Sequence, residues 1–248
     1  MAIASVTRVT HSTVLADFDG TKVLTDPWFS ERPTYRRGEP LAFNVADLPR
    51  LDAVLVSHGH YDHFDLKAFA GYPDKAVALV VKRGLADQAR AAGFTSITEV
   101  DPWEQVKLGP LTVTAAPAKH GVPEVTYILQ AAGRTVFFGA DSLRIPELDE
   151  VASRYPDIDL ALLPVNGLKI RTMLNKQVVM NAMEAADLTK TLHPRLAVPT
   201  HYAFTAGPVG DRLLLKLDRN PNLYRDAVGD LAPDTDVHVL EPGQLLHI

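Results

Sequence analysis

The chain has 248 residues, of which 46% are hydrophobic and 22% charged, a balance that excludes global disorder and fits a folded globular protein. Its 25 Lys and Arg against 30 Asp and Glu leave a net charge of −5, so the molecule as a whole has no attraction to nucleic acid or anionic membranes. It contains no cysteine, which rules out disulfides, thiolate metal sites, thiol redox chemistry and a cysteine nucleophile. Any metal must rest on His, Asp or Glu, and nine histidines are available.

The N-terminal stretch lacks the basic start and unbroken apolar run of a signal peptide, so a cytoplasmic location is expected. No run approaches the ~18 apolar residues of a membrane span. Apolar alternation predicts strands over Ser5–Asp17 and Lys22–Asp26, followed by an irregular loop from Pro27 to Ala46. Asp52–Gly59 reads as a buried strand ending in polar residues, with a short helix starting near Asp62. A strand at Ala76–Val81 and a helix at Gly84–Ala92, stopped by Gly93, come next. Val106–Ala116 and Thr126–Phe138 read as strands that turn at Gly109-Pro110 and Ala132-Gly133. Ile145–Tyr155 reads as a helix with Pro146 near its start, and Leu160–Val165 as a buried strand. Lys176–Thr191 reads as an amphipathic helix closed by Pro194. A strand at Leu196–Pro199, helices at Leu213–Asp218 and Tyr224–Val228 and a last strand at Val237–Leu240 complete the chain. Strands in runs that then alternate with helices, twice over, predict a layered α/β protein with sheets inside and helices outside. No linker-like segment divides it, so residues 1–248 are read as one domain.

The most informative segment is Ser57-His58-Gly59-His60-Tyr61-Asp62-His63. Four potential ligands leave the end of a core strand together, and such polar groups need a partner. Imidazole and carboxylate suit zinc, and also manganese or iron. In an irregular turn His58 and His60 can project one way and Asp62 and His63 another, a divergence that two adjacent metal subsites would use.

The HxHxDH pattern resembles the first motif of the metallo-β-lactamase superfamily. Further pieces of that signature follow in order at strand ends: Ala118-Lys119-His120-Gly121, Phe137-Phe138-Gly139-Ala140-Asp141-Ser142 and Pro199-Thr200-His201-Tyr202. The resemblance covers nearly the whole chain and implies a four-layer αββα sandwich of two mixed sheets flanked by helices. It implies two divalent metal ions, zinc first and manganese or iron as alternatives. One would be held by His58, His60 and His120, the other by Asp62, His63 and His201, with Asp141 between them. Asp62 would also orient the attacking hydroxide. Thr10-His11-Ser12-Thr13-Val14-Leu15, Val23-Leu24-Thr25-Asp26-Pro27 and the string from Leu51 to Asp65 are similar to two branches in particular. These are the L-ascorbate-6-phosphate lactonase-like proteins and the phospholipase D that releases N-acylethanolamines. The missing cysteine turns the reading away from antibiotic hydrolysis. His60, where flavo-diiron oxidoreductases usually carry Glu, turns it away from redox chemistry.

Two ions close together bring a shared water to hydroxide near neutral pH and stabilise the charge that develops on attack. The expected function is therefore hydrolysis of a small lactone, ester or phosphodiester by a metal-bridging hydroxide. A nuclease of the same fold and a non-hydrolytic metal-binding accessory protein are the alternatives; the negative charge argues against the first, the intact ligand set against lost metal binding in the second. Ligand imidazoles need their other N–H fixed, a role for which Asp26 and, less directly, His11 are candidates. Substrate contacts are sought at Tyr61 and Tyr202, and at Asn166, Lys169 and Arg171, where an anionic substrate could be clamped. The polar loop Phe29–Asn44 has the composition of a lid or binding loop, and equally that of a solvated surface loop. A small-molecule substrate is expected and nucleic acid is not, while a homo-oligomer is neither required nor excluded.

Overall fold

The computed structural model describes residues 4–248. Two seven-stranded mixed sheets form its centre. The first runs, in spatial order, Leu245–His247, Ala4–Thr10, Thr13–Phe18, Thr21–Thr25, Ala53–Val56, Ala78–Lys82 and Ile97–Val100. The second runs Asp236–Val237, Leu196–Thr200, Leu160–Pro164, Arg134–Phe138, Val125–Ala131, Leu111–Pro117 and Gln105–Leu108. Each sheet joins an antiparallel half to a parallel half.

Side-chain alternation turns these strands into layers. Leu55 and Phe138 point between the sheets, where they meet Val6, Val23, Tyr127 and Val198. Their neighbours Val54 and Val56 face outward onto Phe69 and Ala89 of the helices Leu66–Phe69 and Ala86–Ala91. Phe137 and Leu163 face outward onto Leu188 and Tyr224 of Ala182–Leu192 and Asn222–Leu231. Burial of each such Leu, Val or Phe contributes about 1.5–3 kcal/mol. The result is the αββα sandwich, helices outside and two sheets within.

The structure corrects several boundaries. Ser5–Asp17 is two antiparallel strands that turn at His11 and Ser12, with His11 in the left-handed region at φ 47°. The helix expected over Lys176–Thr191 begins only at Ala182. The Asn181 side chain accepts from the Met183 and Glu184 amides at 3.0 Å, and Glu184 accepts from the Asn181 amide at 2.8 Å, a reciprocal cap that fixes the start. Lys176–Gln177 instead pairs with Lys169–Ile170, and Val178, Val179 and Met180 follow it as buried, irregular chain. Leu213–Asp218 is not a helix. Leu213 ends the helix Gly207–Leu213, and Leu215–Lys216 pairs with Lys169–Ile170. Ile97–Val100 and Leu245–His247, both missed in the sequence, close opposite edges of the first sheet.

Gly167 starts this small three-stranded sheet at φ +57°, and a Cβ there would lie 2.8 Å from the Asn181 Cβ. Only glycine allows the approach. The loop Phe29–Asn44 is tied down at several points: Arg36–Arg37 pairs with Phe204–Thr205, and Glu39 takes a two-pronged ion pair from the buried Arg8 at 2.7 and 2.8 Å.

Candidate metal centre

Every residue that the superfamily resemblance assigned to metal lies beyond the carboxyl end of a strand, at one end of the sandwich. His58 to His63 follow Ala53–Val56, His120 follows Leu111–Pro117, Asp141 follows Arg134–Phe138, and His201 follows Leu196–Thr200. The His63 and Phe64 amides both donate to the His60 carbonyl, at 3.1 and 2.8 Å, folding the motif into a tight turn. Backbone strain gathers here: His11, Asp26, Ala140 and His201 all have positive φ, a conformation that non-glycine residues hold only when their surroundings enforce it.

The side chains fall into two groups that share a wall. In the first, His58 Nε2 and His120 Nε2 lie 2.9 and 3.2 Å from His60 Nδ1, and Asp141 completes the set. In the second, ligand atoms of Asp62, His63, His201 and also His11 converge within 4.8 Å of one another. Asp141 Oδ2 lies 3.9 and 3.8 Å from the Nε2 atoms of His58 and His120, and 3.2 and 2.8 Å from those of His63 and His201. His63 Nε2, His201 Nε2 and Asp141 Oδ1 are buried without hydrogen-bond partners. Nitrogen lone pairs that converge so closely, beside orphaned carboxylate oxygens, are the donor set that a divalent cation satisfies.

The outward ring nitrogens are held. His63 Nδ1 pairs with Asp26 Oδ2 at 2.7 Å, and the same carboxylate accepts from the Ser57 amide and hydroxyl, each at 2.7 Å. His120 Nδ1 donates to the Val178 carbonyl at 2.7 Å. His58 Nδ1 lies 2.9 Å from Ser57 Oγ and 3.2 Å from Glu124 Oε1. Glu124 also accepts the Asp141 amide at 2.8 Å. Sequence reasoning missed Glu124; the available signal was a lone carboxylate directly before the apolar strand Val125–Ala131. His11 Nε2 lies 3.5 Å from Asp62 Oδ2, its ring 4.1 Å from that of His201. The His11 amide donates to Glu39 at 2.8 Å, so the Arg8–Glu39 pair fixes the turn that carries it.

Electrostatics follow from burial and crowding. Burial, with neighbouring histidines, pushes His58 and His60 down to about 3. Burial pushes His11 down to about 3 as well, with His201 adding to it. Burial works against charge on His63, but Asp141, Asp62 and Asp26 outweigh it and hold that imidazole above its ordinary value. Burial works against the charged forms of Asp62 and Asp141 also. His63 and His11 hold the first well below the usual carboxylate range, and His201 and His63 hold the second there. Burial lifts Glu124 to about 8, with the charge of Asp141 adding to it against His120 and His63.

A cavity of about 430 Å³ opens over the centre. His60, Asp62, His120, Asp141 and His201 form its floor, and Tyr35, Leu168, Ile170, Val178, Phe204 and Leu215 supply most of its apolar wall. The residues expected to contact substrate are not among those lining it. Tyr61 bonds Ser30 and lies under Arg32, 3.5 Å from ring centre to guanidinium. Tyr202 donates to the Leu240 carbonyl and packs under Arg8. Asn166 is buried and holds the Leu168 amide at 3.1 Å. Lys169 alternates with Leu168 and Ile170, and Arg171 is exposed and holds the Leu215 carbonyl at 2.7 Å. The cation clamp expected there is replaced by the apolar neighbours of those same residues.

His and Asp side chains thus gather as a candidate metal-binding donor set at one end of an αββα sandwich. Residues 21–202 match the family model described as a beta-lactamase superfamily domain. The UPF0173 metal-dependent hydrolase MK1542 of Methanopyrus kandleri is 26% identical over 251 residues, covering 96% of this chain and 97% of the relative. The N-acyl-phosphatidylethanolamine-hydrolyzing phospholipase D 1 of Caenorhabditis elegans is 28% identical, covering 95% of this chain and 73% of the relative. Among solved structures, Igni18, a metallo hydrolase from Ignicoccus hospitalis, superposes with a TM-score of 0.77 at 21% identity, covering 99% and 98% of the two chains. The chain belongs to the metallo-β-lactamase superfamily, as a metal-dependent hydrolase.

Proposed function

We propose that this chain hydrolyses a small lactone or ester with an apolar substituent, using two divalent ions, zinc first among them. His58, His60 and His120 would hold one ion, Asp62, His63 and His201 the other, and Asp141 would stand between. The observation that carries this reading is the single oxygen Asp141 Oδ2, set within 4 Å of imidazole nitrogens from both groups. When bound, such a pair of ions lowers the pKa of a water toward neutrality and stabilises charge that develops on a carbonyl oxygen.

The chain's own residues do the rest. Asp62, at the cavity floor, accepts a hydrogen bond from the attacking water and aims it at the scissile carbon. Asp26 and the Val178 carbonyl hold His63 and His120 in the tautomer that leaves Nε2 free. The apolar wall excludes bulk water and packs the substrate's non-reacting part. Among the described residues no Lys or Arg lines the cavity, which favours an uncharged lactone or ester over a phosphorylated substrate. The phospholipase relative is named for a phosphodiester lipid, and phosphodiesters therefore belong in the test. The purified chain, loaded in turn with zinc, manganese and iron, is assayed against apolar lactones, esters and phosphodiesters, with Asp62→Ala as control. Lactone or ester turnover that disappears in the variant supports the reading; turnover confined to phosphodiesters, or none at all, overturns it.

A further inference from the structure

The wall of the cavity continues outward into a surface that the hydrolytic chemistry leaves unexplained. The hairpin Lys169–Gln177 and the segment Gly207–Lys216 are joined by the pairs Lys169–Lys216 and Ile170–Leu215 and by the Arg171 amide on the Leu214 carbonyl at 2.8 Å. Their inner side presents Ile170, Leu214 and Leu215 to the cavity, next to the preceding Leu168. Their outer side carries large apolar side chains in water: Leu174 is 96% exposed, Val209 71%, Leu213 59% and Met173 51%. Leu174 stands at the hairpin tip at φ +55°, followed by Asn175 at +58°. A leucine in the left-handed region, with its whole side chain exposed, gains nothing from packing within this chain.

The same surface is basic. Lys169, Arg171, Lys176, Arg212 and Lys216 make no ion pair among the described residues; most of the other arginines do, whereas of the other lysines only Lys22 and Lys82 do. The only carboxylate within these two segments, Asp211, is engaged by Arg219. Two lysines stand directly opposite one another across the strand pair Lys169–Lys216, an arrangement that self-repels unless an anionic partner covers it.

We propose that this flap docks the protein onto an anionic lipid bilayer, with Leu174, Met173, Leu213 and Val209 entering the interface and the unpaired cations resting on lipid headgroups. Cations interleaved with exposed aliphatic residues are what such an interface selects. A second copy of this chain fits less well, because a two-fold contact would set the basic patch against itself. Nucleic acid fits less well too, because neither segment offers an aromatic ring on which a base could stack. The docking does not depend on which bond the metal centre cleaves, so its test reads binding and not turnover.

The test is sedimentation of the full chain with vesicles of phosphatidylcholine alone and of phosphatidylcholine mixed with phosphatidylglycerol. The flap predicts binding to the mixed vesicles only, weakened by salt. Each of Lys169→Glu and Lys216→Glu should weaken it by about fivefold or more. Leu174→Ser with Met173→Ser should weaken it with the charge unchanged. These surface changes should leave the circular dichroism spectrum unaltered. Equal recovery with both vesicle types, or with neither, overturns the proposal. So does a dimer in light scattering that Leu174→Ser dissociates, which gives the surface to a second copy. Salt-sensitive RNA binding lost in Lys169→Glu, without vesicle binding, overturns it in favour of nucleic acid.

Discussion

Asp26 Oδ2 sits 2.7 Å from His63 Nδ1 while the same carboxylate holds both the amide and the hydroxyl of Ser57. One side chain thus sets the orientation of a second-group histidine and the start of the turn that carries His58. Asp26→Ala should lower metal affinity by about 10- to 100-fold, and Asp26→Asn by less. Isothermal titration of metal into chelator-stripped protein measures this, with near-ultraviolet circular dichroism as the check on folding. Unchanged affinity in Asp26→Ala would remove Asp26 from the site.

Two donor groups predict two metal equivalents. The intact chain should bind about two ions and His201→Ala about one, while Asp141→Ala should weaken both. Ligand held at a hundredfold over its dissociation constant adds about 2.7 kcal/mol of stability per site. Thermal melts with and without chelator should show a larger shift for the intact chain than for His201→Ala. A single equivalent in the intact chain would contradict the two-group reading.

The metal-free chain should show a pH dependence traceable to Glu124. Its carboxyl is raised from an ordinary 4.5 to about 8, chiefly by burial. The folded chain therefore keeps a proton that the unfolded chain releases. The associated stability is complete below about pH 4.5 and is lost as pH rises through about 8. Glu124→Gln keeps the shape without the titration and should flatten that decline. Urea midpoints across this window, with chelator present, decide it; an identical slope in the variant would show that other groups carry the effect.

Arg8 is almost completely buried, and Glu39 is its only carboxylate partner among the described residues. Glu39→Ala strands that charge and should destabilise the fold by about 3 kcal/mol or more. It should also free the His11 turn and the loop Phe29–Asn44 together. A loss below 1 kcal/mol, within the ordinary range for an exposed pair, would show that water reaches Arg8.

An apolar wall predicts chain-length selectivity. Each methylene that enters the cavity should raise kcat/KM for an ester series by about fourfold, the equivalent of about 0.8 kcal/mol, until the space is filled. Leu168→Asp should reduce that increment while metal content stays unchanged. A flat series would show that the wall does not touch substrate.

The residues that gather at the candidate centre were legible because they are local or marked: four potential ligands within His58–His63, and His120, Asp141 and His201 each breaking an apolar strand with a polar end. The layered architecture was legible from alternation. What was hidden depends on distant pairing. Lys176–Met180 carries apolar spacing compatible with a helix, but its backbone partners are Leu168, Lys169, Ile170 and Ser142, and Asn181 takes the cap. The Arg8–Glu39 pair joins residues 31 apart, and nothing near either one announces the other. Lys169 and Arg171 attract attention as charges, yet the register of a short strand turns their neighbours Leu168 and Ile170 toward the cavity instead.

The glycine at position 167 and the cap at Asn181 delimit a module. The candidate metal-binding side chains hang from the ends of two central sheets, whereas Leu168, Ile170 and Val178 of the cavity wall hang from a segment bounded by those two points. Exchanging the side chains of that segment should therefore redraw what the chamber admits, while the candidate ligands, carried by the sheets, and the Val178 carbonyl that holds His120 stay in place.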